Sequence, residues 1–292
     1  MKIILSRKGF DSGSGGCASP IIDGSRIVSL PIPDGRSPYR YDQLVVIDDF
    51  PRMVQDLSGA RVMGRNRAHL DPDLDHVTIK RADGWKPAFG QTGAAQSHLE
   101  AQGVEVGDVF VFFGWFRDIE RGAGGRWSFA KGGRSIHAIF GWLQVGAIVP
   151  LRNGDKNEWA EYPWLADHPH VKRKADPRNV IYVASDELVL PGVESTGLKG
   201  GGSVLNLNEQ RTLTDPTSKN RSTWRLPTWF KQADGLSPLS YHASPDRWTD
   251  DGDAVQLQSV ARGQEFVLDC ESRPQASDWI MKLFAKGGDM GD

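Results

Sequence analysis

Five consecutive apolar residues, Val109-Phe110-Val111-Phe112-Phe113, constrain this chain more than any other feature. A strand that is apolar at every position has both faces in a core, whereas a half-exposed strand alternates. Gly107-Asp108 supplies a turn just ahead of it. A second apolar run, Ile136 to Val149, is interrupted only by His137, Gly141, Gln144 and Gly146. The stretch from Gly107 to Val149 therefore predicts two buried strands at the centre of the fold. His137 and Gln144 are polar groups in an otherwise dry run and need partners. Their odd separation puts them on opposite faces of a regular strand. A bulge at Gly141 would bring them to one face, which is a condition for their sharing a site.

Around that centre, Lys2 to Ser6 reads as a strand. Ile21-Ile22 and Arg26-Ile27-Val28 flank Asp23-Gly24, a pair suited to a tight hairpin turn. Leu44 to Ile47 reads as a strand and Asp49 to Leu57 as a short helix. Ala94, Ala95, His98 and Leu99 recur at helical spacing and predict a helix over Gln91 to Gln102, stopped by Gly103. Asn179 to Ala184, Ser203 to Leu207 and Gln264 to Asp269 read as strands, and Ala276 to Ala285 as a last helix. This order lacks the regular alternation of a doubly wound sheet. It predicts an α+β fold with a mixed or antiparallel, partly barrel-like sheet, the PUA-like barrel being one form of it, and a few flanking helices. The chain reads as one α+β domain over 1–292, with the glycine-rich stretch 197–202 as the point where it could divide.

The formal net charge of −2 gives no global attraction for nucleic acid, so any such contact needs a local basic patch. Cys17 and Cys270 stand far apart and form no CxxC pair, which argues against a structural zinc site and fits a reducing cytoplasm. The opening MKIIL is too short and too soon followed by Arg7 and Lys8 for a signal peptide. No run approaches the length of a membrane span, so a cytoplasmic location without membrane partners is expected.

Candidate chemistry lies in a few short segments. Arg7-Lys8, followed by a loop with Asp11, Ser12, Gly15 and Gly16, has the makings of a phosphate cradle: backbone N–H groups of a glycine-rich turn with two cations beside them. It lacks the Gly-Lys-Ser/Thr of a Walker loop. His69-Leu70-Asp71 is a His-x-Asp pair, which with a distal histidine, His137 or His170, would make the ligand set of a facial triad. Without a metal, Asp71 would orient His69 as a general base. His168-Pro169-His170 places two further imidazoles together. Burial of His137 among Ile136, Ile139 and Phe140 would lower its pKa and keep it neutral, as a base must be. Trp115, Trp142, Trp224 and Trp229 offer stacking surfaces for a base, with Arg117 as a phosphate or base contact. Trp115 and Trp142 sit among apolar neighbours and read first as core. No cofactor motif is present.

SRKGFDS at 6–12, HLDPDL at 69–74, GQTGAAQSHL at 90–99, GDVFVFFGWF at 107–116, HAIFGWLQVG at 137–146 and GQEFVLD at 263–269 together resemble a known family. It is the third of the nucleotide modification associated domain families of bacteria and phages. The resemblance implies a role in systems that make modified bases in DNA, alongside other base-modification proteins, with nucleotide or DNA as partner. It carries no established reaction. Arg7, Lys8, Asp11, His69, Asp71, Gln91, Trp115, His137 and Gln144 lie in its motifs. The first expectation is thus a transferase or hydrolase acting on a nucleotide or DNA base, without a metal. His69, Asp71, His137 and Asp11 would do the chemistry, and Arg7, Lys8, Ser12, Gly15, Gly16, Gln91, Trp115, Arg117 and Gln144 would hold substrate. The alternatives are a non-catalytic PUA-like reader of modified or flipped bases, and a metal enzyme built on His69, Asp71 and a distal histidine.

Overall fold

The computed structural model describes residues 1–285 apart from 154, 174, 175, 234 and 262. The chain opens with β1 (Lys2–Arg7) and the hairpin β2 (Ser19–Ile22) and β3 (Arg26–Ile27), followed by α1 (Phe50–Leu57). Next come β4 (Ala88–Gln91), α2 (Gly93–Ala101), β5 (Val109–Arg121), β6 (Trp127–Phe129) and β7 (Ser135–Pro150). The remainder supplies β8 (Val180–Ala184), β9 (Gly201–Ser203), β10 (Thr223–Pro227), β11 (Trp248–Asp251), β12 (Ala254–Gln258), β13 (Glu265–Asp269) and α3 (Gln275–Phe284). The hairpin forms at Asp23-Gly24, where both residues take positive φ (47° and 72°).

The main sheet runs β13-β1-β5-β7-β8-β4; β1 and β5 are parallel and the other pairs on this path antiparallel. A second antiparallel sheet, β10-β12-β11, covers one face of it. Alternate residues of β5 enter two separate cores. Val109, Val111 and Phe113 pack with Ile3 and Leu5 against Trp224, Leu226 and Leu257 of the small sheet and Ile280 and Leu283 of α3. Phe110 and Phe112 pack with Ile4, Leu143, Tyr182 and Val267 around Phe89 and Leu99. This double burial is why the run is apolar throughout, and each fully buried Phe contributes about 1.5–3 kcal/mol.

The class is α+β with a mixed sheet, as the strand order implied. The sheet is curled but open. Gln91 ends β4 and Glu265 begins β13, and Gln91 Nε2 donates to Glu265 Oε1 at 2.6 Å without any ladder between these strands. Helix α2 lies by this gap, with Leu99 in the core and Gln96 Oε1 accepting from the Tyr182 hydroxyl at 3.1 Å.

Two strand assignments shift. Leu44–Ile47 is irregular: Val45 donates to the Thr78 carbonyl (2.8 Å), but no strand runs alongside. The strand expected at 203–207 is centred earlier, as β9, because Gly201–Leu143 and Gly202–Trp142 pairing demands the close approach that glycine permits. A Cβ on Gly202 would sit 2.9 Å from the Trp142 ring. The stretch 197–202 is thus partly woven into the main sheet. Among the described residues no helix is long and apolar enough to cross a membrane.

β7 carries a bulge: Phe112 pairs with Gly141 and Phe113 with Ile139, leaving Phe140 extra. The bulge restores His137 and Gln144 to one face, opposite Trp115 and Val109 respectively. They still do not meet, because the six residue steps from Val109 to Trp115 span about 20 Å.

Candidate functional site

At the mouth of the curled sheet, where β1 and β4 end and β7 and β13 begin, lies a cleft of about 960 Å³. The ladder runs out here, so polar side chains and loop backbone replace it. Arg7, Lys8, Asp11, Ser12, His69, Asp71, Gln91, Trp115 and His137 all line this cleft, as does His170.

One wall is a cluster of histidines around Asp71. The 69–73 segment is suspended between two bridges, Pro33–Ala68 and Asp73–Ala88, which fix Asp71 beside β4. Gly90 donates its N–H to Asp71 Oδ1 (2.8 Å). The other oxygen, Oδ2, faces His69 Nε2 and His170 Nε2, each at 3.4 Å. His170 sits in a one-turn 3-10 helix, Pro169–Lys172, and is clamped by Asn179 just before β8. Asn179 Nδ2 donates to the His170 carbonyl (2.9 Å), so its Oδ1 must accept from His170 Nδ1 (2.6 Å). That leaves the His170 Nε2 lone pair pointing at a carboxylate oxygen when the ring is neutral. Gly90 is required for the fit, since a Cβ there would lie 2.4 Å from the His170 ring.

Electrostatics sharpen the picture. Burial pushes His170 down from its ordinary value, and pushes His168 down to about 3, so both rings are neutral at pH 7. His69 Nδ1 lies 3.2 Å from Asp34 Oδ2 without hydrogen-bond alignment. Burial opposes ionisation of Asp34, yet hydrogen bonds from Arg36 and the nearby His69 bring it down to about 2. His168 stands behind Asp71 with Nε2 3.7 Å from Oδ1, its Nδ1 accepting from the His170 backbone N–H (3.3 Å). The neutral His170 ring thus turns a lone pair toward an anionic oxygen, an arrangement that repels unless a cation lies between them. The ligating atoms of His69, Asp71 and His170 lie within 4.8 Å of one another. For bonds of roughly 2.1 Å, two donors on a tetrahedral ion stand about 3.4 Å apart. The distances to Asp71 match this spacing. The structure therefore selects His170, not His137, as the histidine beside the His-x-Asp pair.

The opposite wall is built on β1, β5 and β7. His137 Nδ1 accepts from the indole N–H of the fully buried Trp224 (3.0 Å). Burial, with Arg221 and Arg7 nearby, pushes His137 down to about 3. Neutral His137 therefore carries its proton on Nε2, and it meets the cleft as a donor with its only lone pair already taken. Trp115, directly across from His137, donates its indole N–H to Ser135 Oγ (2.9 Å) and lies under the guanidinium of Arg221 (4.3 Å).

Several expected contacts are committed elsewhere. Lys8 Nζ is paired with Glu265 Oε1 at 2.6 Å, above the Phe89 ring. Asp11 Oδ1 accepts from the N–H groups of Gly13 and Ser14, organising its own loop. Gly15 and Gly16 lie outside the cleft, packed on Phe10 and Arg61 at φ 80° and 75°. Arg117 stacks on Phe129, also outside the cleft. Gln144 bonds the Gly107 carbonyl and both backbone groups of Val189, tying a loop to the far end of β7. Trp142 packs on Phe284 and donates to the Lys199 carbonyl. Trp229 belongs to a separate aromatic group with Phe230 and Trp279.

Some cleft residues escaped the sequence reading. Glu265 is buried at the head of β13, Arg173 and Arg221 lie on loops, and His98 from α2 stacks on the exposed Tyr241 at the rim (4.4 Å). The unbroken apolar run Phe266-Val267-Leu268 that follows Glu265 was a signal: a carboxylate at the head of a strand buried on both faces needs a partner.

The fold and cleft define an α+β protein with an open, curled mixed sheet and a polar cavity holding two histidines and a carboxylate at its mouth. Residues 2–269 match the model of nucleotide modification associated domain 3, and the chain belongs to that family. No match was found among curated proteins, nor among solved structures.

Proposed function

We propose that this chain is a metal-dependent enzyme that modifies a nucleotide or nucleic-acid base, as a transferase or hydrolase. The family's association with nucleotide modification supports the substrate class. The observation that carries the reaction type is the convergence of His69 Nε2 and His170 Nε2 on Asp71 Oδ2 at the wall of a cleft large enough for a nucleotide. Two imidazoles and one carboxylate leave open coordination positions, the arrangement of catalytic rather than structural sites. Such an ion would polarise a substrate oxygen or lower the pKa of a bound water. The residues around the triad have supporting parts: Asn179 fixes the tautomer of His170, Gly90 anchors Asp71, and Asp34 stands behind His69. Arg173, lining the same wall, adds positive charge for an anionic substrate.

The test is metal analysis of the purified protein and of apo-protein reloaded without oxygen with Fe²⁺, Mn²⁺ or Zn²⁺. The expected result is about one equivalent bound, and under about a tenth in His170→Ala and Asp71→Asn, because a dedicated site retains its ion. Wild-type protein that takes up none of the three would end this reading.

A further inference from the structure

His137 and Arg221 belong to the wall that the metal reading leaves unused. The β1 residues Ile3, Leu5 and Arg7 share a face, as do Val111, Phe113 and Trp115 of β5, and both faces look onto the same core. Arg7 and Trp115 thus continue one sheet face past the small sheet, and His137 lies at its edge, held by Trp224 of β10. Arg7 uses Nη2 to bind the carbonyls of Ala261 and Gly263, which fixes the guanidinium, and among the described residues nothing binds its other N–H groups. The Arg221 guanidinium lies over the Trp115 ring at 4.3 Å, and among the described residues no carboxylate comes within ion-pair distance of it. His137 offers Nε2–H, because Trp224 occupies Nδ1. The acidic groups near this wall are Asp11, whose charge acts on Arg7 and which is bonded to its own loop, and Glu265, whose Oε1 accepts from Lys8 and Gln91 while its Oε2 has no partner among the described residues.

We propose that Arg7, Arg221 and the Nε2–H of His137 form a phosphate subsite, so that the ligand of this cleft is a phosphorylated nucleotide held by its phosphate on the β1–β5–β7 wall. Two guanidinium groups and an imidazole N–H converge from three segments, as binding a tetrahedral anion requires. Burial and the neighbouring charge of Arg221 lower the pKa of Arg7 against the opposing pull of Asp11 and Glu265. An anion between the two guanidinium groups would relieve their repulsion. The phosphate cradle is therefore this trio and not the glycine loop, whose Gly15 and Gly16 face away from the cleft. The inference rests on the nucleotide reading only for the identity of the group that carries the phosphate.

Calorimetric titration of metal-free protein in EDTA at low salt separates this subsite from the metal centre. The probes are a deoxynucleoside 5′-monophosphate, the matching deoxynucleoside and inorganic pyrophosphate. The monophosphate should bind at least about tenfold tighter than the nucleoside, as charge-assisted bonds predict. Pyrophosphate should compete with it. Arg221→Met should erase the advantage of the phosphate without weakening nucleoside binding. His137→Gln, which can still accept from Trp224 and donate to the ligand, should keep most of it, whereas His137→Leu should not. Arg117→Met, outside the cleft, should change nothing. Equal affinities for nucleoside and monophosphate, no binding of either phosphate probe, or full affinity in folded Arg221→Met would each overturn the proposal.

Discussion

Substitution of Gly90 by alanine tests the histidine cluster without removing any ligand. A Cβ on Gly90 would lie 2.4 Å from Cγ and Cδ2 of His170 and 2.7 Å from its Nε2, while the hydrogen bond from the Gly90 N–H to Asp71 would survive. Ordinary carbon contacts begin near 3.4 Å, so the ring must retreat by about 1 Å. It has little freedom to do so, because Asn179 holds both its Nδ1 and its backbone carbonyl. Overpacking of this kind costs about 1–3 kcal/mol of stability. The effect on metal should be larger in relative terms, since ligand distances must hold within about 0.2 Å and loss of mere supporting contacts already costs 10–100-fold in affinity. The assay is competition titration of apo-protein with Zn²⁺ or Fe²⁺ against a chelator, with thermal unfolding at matched free metal. At a free metal concentration of about 100 times Kd, the ion adds about 2.7 kcal/mol to the wild-type protein, and Gly90→Ala should lose nearly all of that increment. Affinity within twofold of wild type in folded Gly90→Ala would refute the assignment of His170 as a ligand.

Three further outcomes follow from individual side chains. His137 has a folded pKa of about 3 against 6.5 in an unfolded chain, so the unfolded state binds the extra proton between these values and stability should fall as pH drops through that window, by up to about 1.4 kcal/mol per pH unit. Denaturant unfolding from pH 7 to 4 should show a shallower slope in His137→Gln, and an unchanged slope would contradict the burial of a neutral ring. Gln144→Leu should cost about 2–4 kcal/mol by orphaning the Gly107 and Val189 backbone groups, yet leave metal and nucleotide binding intact by titration. Glu265→Leu strands Lys8 in a buried place and cuts the link from β4 to β13, for a loss of about 3–5 kcal/mol. Hydrogen exchange should then accelerate in β4 and α2 before the rest of the sheet, and uniform acceleration would argue against a local closure.

What could be read from the chain divides along sequence distance. The β5 run was legible because two-sided burial leaves an unbroken apolar signature, and the Asp23-Gly24 turn because its backbone conformation selects residue types locally. His69 and Asp71 were legible as a pair for the same reason: two residues apart, they must be neighbours. The choice between His137 and His170 as their companion was not legible, since it depends on β4 lying against β8 with Gln91 opposite Val180, a pairing of segments nearly 90 positions apart. The hairpin of β11 and β12 did carry a signal, Asp251-Gly252 with φ 62° at the glycine, but the Trp248–Asp251 strand before it is polar enough to read as loop.

Arg117 and Arg221 show why the binding residues are harder still. Both are arginines near tryptophan in sequence, and Arg117 even shares the strand and parity of Trp115. Yet Arg117 lies past the last turn of the cleft wall and covers Phe129, while Arg221 arrives from a loop over a hundred residues later to lie on Trp115. Parity along a strand decides which face a side chain takes, but not whether anything covers that face at its position. Here the cover is the small sheet and α3, which bury the face as far as Phe113 and reach His137 only through Trp224 of β10. Arg7 and Trp115, on the same face past that limit, and His137 at its edge line the cleft because the second layer ends there. The site is therefore set by the extent of the layer above the sheet, and that extent is fixed by β10 to β12 and α3, elements that contribute no side chain to the metal cluster.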